Sequence, residues 1–469
     1  MASASAESSS SRSALEDSCI SSGDTVLLRL PNGDVKSVKI TKDSTVSLGK
    51  FGTFLANELI GQTFGVSYEI SDKTLTVIPP RTLEEVEETA ATNELIDDGL
   101  PVQPVTNERI QELKQAGVHV SGIIQKQIEQ HANYSLKTEY SKDKYKKRKE
   151  AKYSKSFTTI EPTLFNVSEY WFNKDQSRIR DLRIDALAQI LNMANIKPGG
   201  RYLAVDDASG LLVSGILSRM GGQGRLITLC DIESPPSYPV MTHMNFKTEM
   251  VKSVLDSLNW ATAQEDYEPV FAPHDLPADQ IKSDKQKSRL NKRKAVSDAL
   301  MAVREDLFAG EFDALLIASE YDPNSIIEAL GKYLGGSANV VVHSPYVQIM
   351  SDLQATLRWS PEYLSPALSE VWLRKYQVLP GRTHPVMNMS GSGGYILHTI
   401  KVYDDPSAVP VTSHRRQQRL KNVAAKSSAS GTPMDGIEPP DESDVKPGIV
   451  VSAEDLDTIM DAPSSSPDE

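Results

Sequence analysis

The sequence predicts an α/β protein in three parts: a small N-terminal β-barrel domain, a helical connector and a C-terminal doubly wound, Rossmann-type domain. Three observations lead there. Short alternating strands fill residues 23–80, helical periodicity follows an acidic stretch, and strands alternate with helices over residues 179–403. Both ends are polar: residues 1–22 are Ser-rich and 404–469 run from basic to acidic, so both are expected to be disordered.

In the N-terminal part, "TVLLRL", "VKSVKI", "SYEI" and "TLTVI" read as strands. "PNGD" (31–34) places an Asn-Gly hairpin turn between the first two. Glycines at 49, 52, 61 and 65 suit the tight bends of a small barrel. The connector, 81–178, begins with "LEEVEETAATNELIDDGLP", and from Asn107 Ile110, Leu113, Val120, Ile123, Ile124 and Ile128 recur at helical spacing. Then "IRDLRIDALAQILNMANIKPGG" is a helix ended by Pro198 and two glycines. "RYLAVDD", "GRLITLCD", "FDALLIASE" and "ANVVVHSP" read as strands, with "GLLVSGILSRMG", "KTEMVKSVLDSLNWA" and "NSIIEALGKYL" as helices between them. That alternation gives a parallel sheet covered on both faces. "VWLRKYQVLP" and "GGYILHTIKVY" close it as an antiparallel pair.

At 469 residues with 39% hydrophobic content, the chain is expected to hold more than one core. Cys19 and Cys230 are its two cysteines, too few for a disulfide framework or a zinc cluster, and they fit a reducing compartment. The N-terminal 18 residues lack the apolar run of a signal peptide, so a soluble protein is expected.

The net charge of -13 argues against nucleic-acid binding until its distribution is considered. Residues 435–469 hold eleven acids and one base, Lys446; the rest of the chain carries about -3 by simple counting. "KTEYSKDKYKKRKEAKYSK" (137–155) has nine bases and three acids, with three tyrosines interleaved. Lys144, Lys146, Lys147, Arg148 and Lys149 form a candidate RNA contact, with Tyr145 and Tyr153 as stacking residues; a solvated helix face or a nuclear-localisation signal are the alternatives. A second basic cluster, "KSDKQKSRLNKRK" (282–294), reads as a solvated loop insertion. Arg374 and Arg382 in "WLRKYQVLPGRTHP" are candidate phosphate contacts, whereas His384 reads as a loop-fixing residue. "SGSGG" (390–394) precedes a strand, which makes it a hairpin turn and not a phosphate cradle.

"YLAVDDASGLLVSG" (202–215) has the outline of a cofactor turn: strand, acid, small-residue bend, helix. A class I methyltransferase places an acid at the strand end followed by G-x-G-x-G. Here Asp206 supplies the acid, but the three glycine positions read Ala208, Gly210 and Leu212. Asp231, 21 residues after Gly210, stands where a ribose-binding carboxylate would lie, or is simply an acid ending a strand. The motif is degenerate, and no cofactor is expected to bind this chain.

"LGKFGTFLANELIGQTFGVSYEI", "NVSEYWFNKDQSRIRDLRIDALAQIL" and "LRKYQVLPGRTHPVMNMSGSGGYILHTIKV" resemble the non-catalytic subunit of the eukaryotic tRNA (adenine-58-N1)-methyltransferase, over nearly all of 23–403. The resemblance implies a class I methyltransferase-like domain paired with a catalytic sister subunit that uses S-adenosylmethionine, as a two-plus-two heterotetramer in the nucleus, acting on tRNA. Catalytic sisters carry an Asp in an "LDLPxP"-like segment; aligning its final Pro on Pro323 of "IASEYDP" puts Ser319 at the Asp position, with Glu320 and Asp322 nearby. The expected role is therefore tRNA binding and scaffolding without catalysis. An autonomous S-adenosylmethionine-dependent RNA methyltransferase using Asp206 and Asp231, and an RNA-binding translation factor, are the alternatives.

Overall fold

The computed structural model describes residues 19–79, 109–110, 112–113, 120–130, 141–142, 145–146, 148–149, 152, 154–232, 236–268, 284–378 and 383–403. The expected tails 1–18 and 404–469 and much of the connector lie outside them. The chain divides into units 1–404 and 405–469, and all described residues belong to the first.

Strands β1 (Thr25–Arg29) and β2 (Val35–Lys39) form the hairpin that "PNGD" predicts, with Thr25 opposite Lys39 and Gly33 at φ 91° in the turn. β3 (Thr45–Ser47) and β4 (Thr53–Leu55) make a two-stranded ladder, and β5 (Ser67–Ser71) pairs with β6 (Thr74–Ile78). Helix α1 (Val120–Glu129) follows, burying Ile123 and Ile124. Where a barrel is expected from 23–80 alone, the ladders form a five-stranded sheet of order β2-β1-β7-β5-β6. Its central strand, β7 (Ser156–Ile160), comes from the stretch expected to be connector. It is recruited because Phe157 and Thr159, two residues apart, both turn inward. Phe157 stacks on Phe54 at 4.9 Å and meets Tyr68 at 5.6 Å. The disorder expected through residue 22 does not hold for residues 19–22: Cys19 pairs with Thr63 in an isolated bridge, and Ile20 is buried in this core.

Helix α2 (Leu164–Lys174) begins at Thr163, whose Oγ1 accepts a hydrogen bond from Asn166 N at 3.3 Å. After α3 (Ile184–Met193) come β8 (Arg201–Asp206), α4 (Leu211–Met220), β9 (Arg225–Cys230), α5 (Thr248–Val254) and β10 (Leu255–Asn259). "KTEMVKSVLDSLNWA", expected as one helix, is thus split: its second half pairs in parallel with β9, Leu255 opposite Leu226. The insertion expected as a loop is the start of a 26-residue helix, α6 (Asp284–Ala309). β11 (Phe312–Ala318), α7 (Pro323–Leu330), β12 (Leu334–Ser344), α8 (Val347–Trp359), β13 (Tyr363–Trp372), a short β14 (Tyr376–Gln377) and β15 (His384–Pro385) pair, and β16 (Ser392–Lys401) complete the unit.

The seven-stranded sheet has the order β10-β9-β8-β11-β12-β16-β13. Its first five strands are parallel, and β16 runs antiparallel to both β12 and β13. Side chains alternate across it. Tyr202 and Ala204 of β8 join the core under α2, α3 and α4, while Leu203 and Val205 join the core under α6, α7 and α8. Asp306 of α6 pairs with Arg225 at 2.5 Å and Arg201 at 2.9 Å, tying that helix to the starts of β9 and β8. The N-terminal sheet docks through β1: Thr25 N donates to Asn245 Oδ1 at 2.8 Å, and Asn245 Nδ2 donates back to Thr25 O at 3.0 Å. Among the described residues, no helix is long and apolar enough to cross a membrane.

Candidate functional site

The turn from β8 into α4 stands at the ligand end of a parallel sheet, where strand carboxyl ends and helix amides converge. Its own chain fills it. Asp206 Oδ1 accepts from Ala208 N at 2.7 Å and Gly210 N at 3.3 Å, and Oδ2 accepts from Val213 N at 2.8 Å. The acid thus caps the turn and the helix that follow it. Burial pushes the Asp206 carboxyl up to about 6 despite those three donors. Ala208 and Leu212 are fully buried in the core.

Gly210 has φ 85°, and a side chain there would place its Cβ 2.7 Å from Tyr238 Cγ. Tyr238, itself buried, therefore lies directly on the glycine whose bare surface a cofactor would approach. Val240 N donates to Ser209 O at 3.2 Å, fixing the same segment to the turn. Burial, with the Asp206 carboxylate close by, raises the Tyr238 phenol well above its ordinary value.

The other two acidic positions are engaged as well. Tyr321 Oη donates to Asp231 Oδ2 at 3.1 Å, and that bond raises the Tyr321 phenol. Ser319 Oγ donates to Asp207 Oδ2 at 2.5 Å, and Glu320 N donates to the same oxygen at 3.1 Å. Glu320 is paired with Arg180 at 3.2 Å, and Asp322 caps α7 through Ser325 N at 3.1 Å. The residues present do not fit S-adenosylmethionine at this turn. The glycine face is covered by Tyr238, and Asp206 is already engaged by three amides of its own turn.

Beside the covered turn, a groove of about 1370 Å³ remains at the ends of β9 and β10. Trp260, Tyr267 and Tyr321 line it, with Val296, Leu300 and Val303 of α6 as one wall. Among the described residues, no group of acids, histidines and cysteines could hold a metal ion.

Lys146, Arg148 and Lys149 are helical, and Lys149 Nζ lies 5.1 Å from the Tyr145 ring centroid; Lys144, Lys147 and Arg382 lie outside the described residues. Arg374 Nη1 donates to Val386 O at 3.1 Å and Met389 O at 3.2 Å, so part of its guanidinium holds its own loop. His384 sits in the β14–β15 ladder.

"SGSGG" does enter β16, wrapped around a residue its sequence does not announce. Arg183, buried, holds Asp185 through two hydrogen bonds of 2.6 and 2.8 Å. It also donates to the carbonyls of Ser390, Gly391 and Ser392 at 3.0 to 3.1 Å. His343 Nε2 donates to Gly393 O at 3.2 Å, and burial lowers this imidazole to about 4. Tyr238, Tyr321 and Arg183 act across 28, 90 and about 200 residues of chain respectively, and no local motif marks any of them.

Strand order, the reversed β16 and the turn after β8 together define a methyltransferase-like Rossmann domain whose cofactor turn is covered by its own side chains. Comparison with known proteins narrows that class. The chain belongs to the Gcd10p family, which matches residues 19–296. It is 31% identical to the tRNA (adenine(58)-N(1))-methyltransferase non-catalytic subunit TRM6 of Kluyveromyces lactis, covering 87% of this chain and 91% of that protein. It is 28% identical to the subunit of the same name from Mus musculus, over 91% of this chain and 98% of that one. Among solved structures, the tRNA (m1A58) methyltransferase TrmI from Aquifex aeolicus is 13% identical, with a TM-score of 0.43, over 82% of this chain and all of that one.

Proposed function

We propose that this chain is the non-catalytic subunit of a tRNA (adenine-58-N1)-methyltransferase. It binds tRNA and scaffolds a catalytic sister subunit that carries the S-adenosylmethionine, and binds none itself. The observation that carries this reading is Tyr238 lying on Gly210 while Asp206 caps its own turn. Membership of the Gcd10p family and the names of the relatives support it. Methylation at N1 needs the pairing edge of the adenine exposed, so the chain's work is to hold tRNA with that base accessible to the sister. Lys144, Lys146, Lys147, Arg148 and Lys149, with Arg374 and Arg382, are assigned to the phosphates. Two copies of each subunit assemble in the nucleus.

The test is reconstitution. Chain, sister and the mixture are each assayed for methyl transfer to an unmodified tRNA transcript. The pair alone is expected to be active, with an equimolar complex on sizing. Methylation by the isolated chain would overturn the reading in favour of an autonomous enzyme, and failure of the two to co-purify would favour an RNA-binding factor without this partner.

A further inference from the structure

Helix α6 carries six cations between residues 285 and 294 and no acid. All six belong to exposed positions, and among the described residues none is paired with a carboxylate. At about 100° per residue, Lys285, Arg289, Lys292 and Arg293 fall within about 60° of Val296, whereas Lys287 and Lys294 fall on the opposite side. Val296 is 70% exposed and lines the groove beside the covered turn. The cationic stripe therefore continues the groove wall outward, over about 12 Å from Lys285 to Arg293.

The groove itself presents ring faces. Tyr267 is held by the Arg304 guanidinium, 5.5 Å from its ring centroid, and Arg304 Nη2 anchors the same loop through Gln264 O at 2.8 Å. Tyr321 is 44% exposed and fixed at its hydroxyl by Asp231. At about 1370 Å³ the groove exceeds the about 300–1,000 Å³ of a small-molecule pocket. Fixed aromatic faces beside a cationic track are what an unpaired nucleic-acid strand needs: bases stack on the rings while phosphates follow the charges.

We infer that this groove, with the Lys285–Arg293 stripe of α6, is a binding site for a single-stranded segment of RNA. The inference rests on reading the chain as a tRNA-binding subunit, and it adds a site separate from the 144–149 cluster. The stripe takes the phosphates, and Trp260, Tyr267 and Tyr321 take the bases.

The test uses the purified complex of chain and sister with a tRNA transcript, measuring affinity between 50 and 200 mM salt, conditions over which phosphate contacts dominate. Replacing Lys285, Arg289, Lys292 and Arg293 together by Ala is expected to lower the slope of log affinity against log salt by about 3. Tyr321→Ala, at an exposed position, is expected to weaken binding about tenfold with the slope unchanged. Lys287→Ala with Lys294→Ala should move the slope by less than about 1, because those side chains face away from the groove. If the wild-type complex binds tRNA and the four-fold variant matches it in affinity and slope, this site is refuted and the subunit reading stands. If the wild-type complex fails to bind tRNA, the subunit reading itself fails. A four-fold variant that loses the sister subunit but keeps its RNA affinity would make the stripe a protein interface and overturn the inference.

Discussion

Replacing Asp206 by Asn isolates the group on which the covered turn depends. Asp206 is the strand-end acid, and burial holds its carboxyl at about 6 against an ordinary value of 3.8. The folded state therefore binds the proton more tightly than the unfolded chain. That contribution to stability is fully present below the unfolded value and is lost as pH rises through about 6. A gap of about two pH units, at about 1.4 kcal/mol each, makes the whole contribution about 3 kcal/mol. About 2 kcal/mol of it is lost between pH 4.5 and 8. Asn mimics the neutral acid and does not titrate. Urea denaturation of both proteins across that range should show wild type losing about 2 kcal/mol relative to Asp206→Asn as pH rises. A difference that stays flat, or that grows in favour of wild type with pH, would refute the enclosed carboxyl. It would restore Asp206 as an acid open to solvent and ligand.

Three further outcomes follow from the geometry. Arg183→Met leaves Asp185 and three carbonyls without their buried partner and should cost about 3–5 kcal/mol by denaturant titration; a loss under about 1 would show that the "SGSGG" turn stands without it. Burial alone would raise Asp306, but the hydrogen bonds from Arg225 and Arg201 outweigh it and hold its carboxyl below its ordinary value. Its contribution is thus present above about pH 4 and lost as acid carries the pH through the folded value; Asp306→Asn should cost about 2 kcal/mol at pH 7, a cost that shrinks in acid, and a pH-independent cost would contradict the pairing. Replacing Lys146, Lys147, Arg148 and Lys149 by Ala should weaken tRNA binding and reduce its salt slope by about 3; unchanged affinity and slope would remove that cluster from the tRNA contact.

The parallel sheet was legible because each strand is a run of apolar residues bounded by turn signals, as in "RYLAVDD" and "FDALLIASE". Strand β10 was not: "VLDSLN" directly continues a helical pattern, and only its pairing with β9 decides its state. Strand β7 was hidden for a related reason, since its partners β1 and β5 lie some 90 to 130 residues earlier in the chain. The first part of α6 reads as charged loop because its core-packed apolar residues begin only at Leu300 and Val303, and its six cations are exposed. At the turn, the substitutions Ala208 and Leu212 were visible as departures from a glycine motif. What covers the turn was not visible. Tyr238 meets Gly210 through the packing of the segment after β9, and Tyr321 meets Asp231 across the intervening strand β8, contacts that no spacing rule encodes.

The turn after β8 keeps the shape of a cofactor site while its own side chains fill it. Calorimetric titration of S-adenosylmethionine into the purified, folded chain without its sister tests this directly. No binding heat is expected. Saturable binding at one site per chain would contradict it and return Asp206 and Asp231 to the role of cofactor ligands.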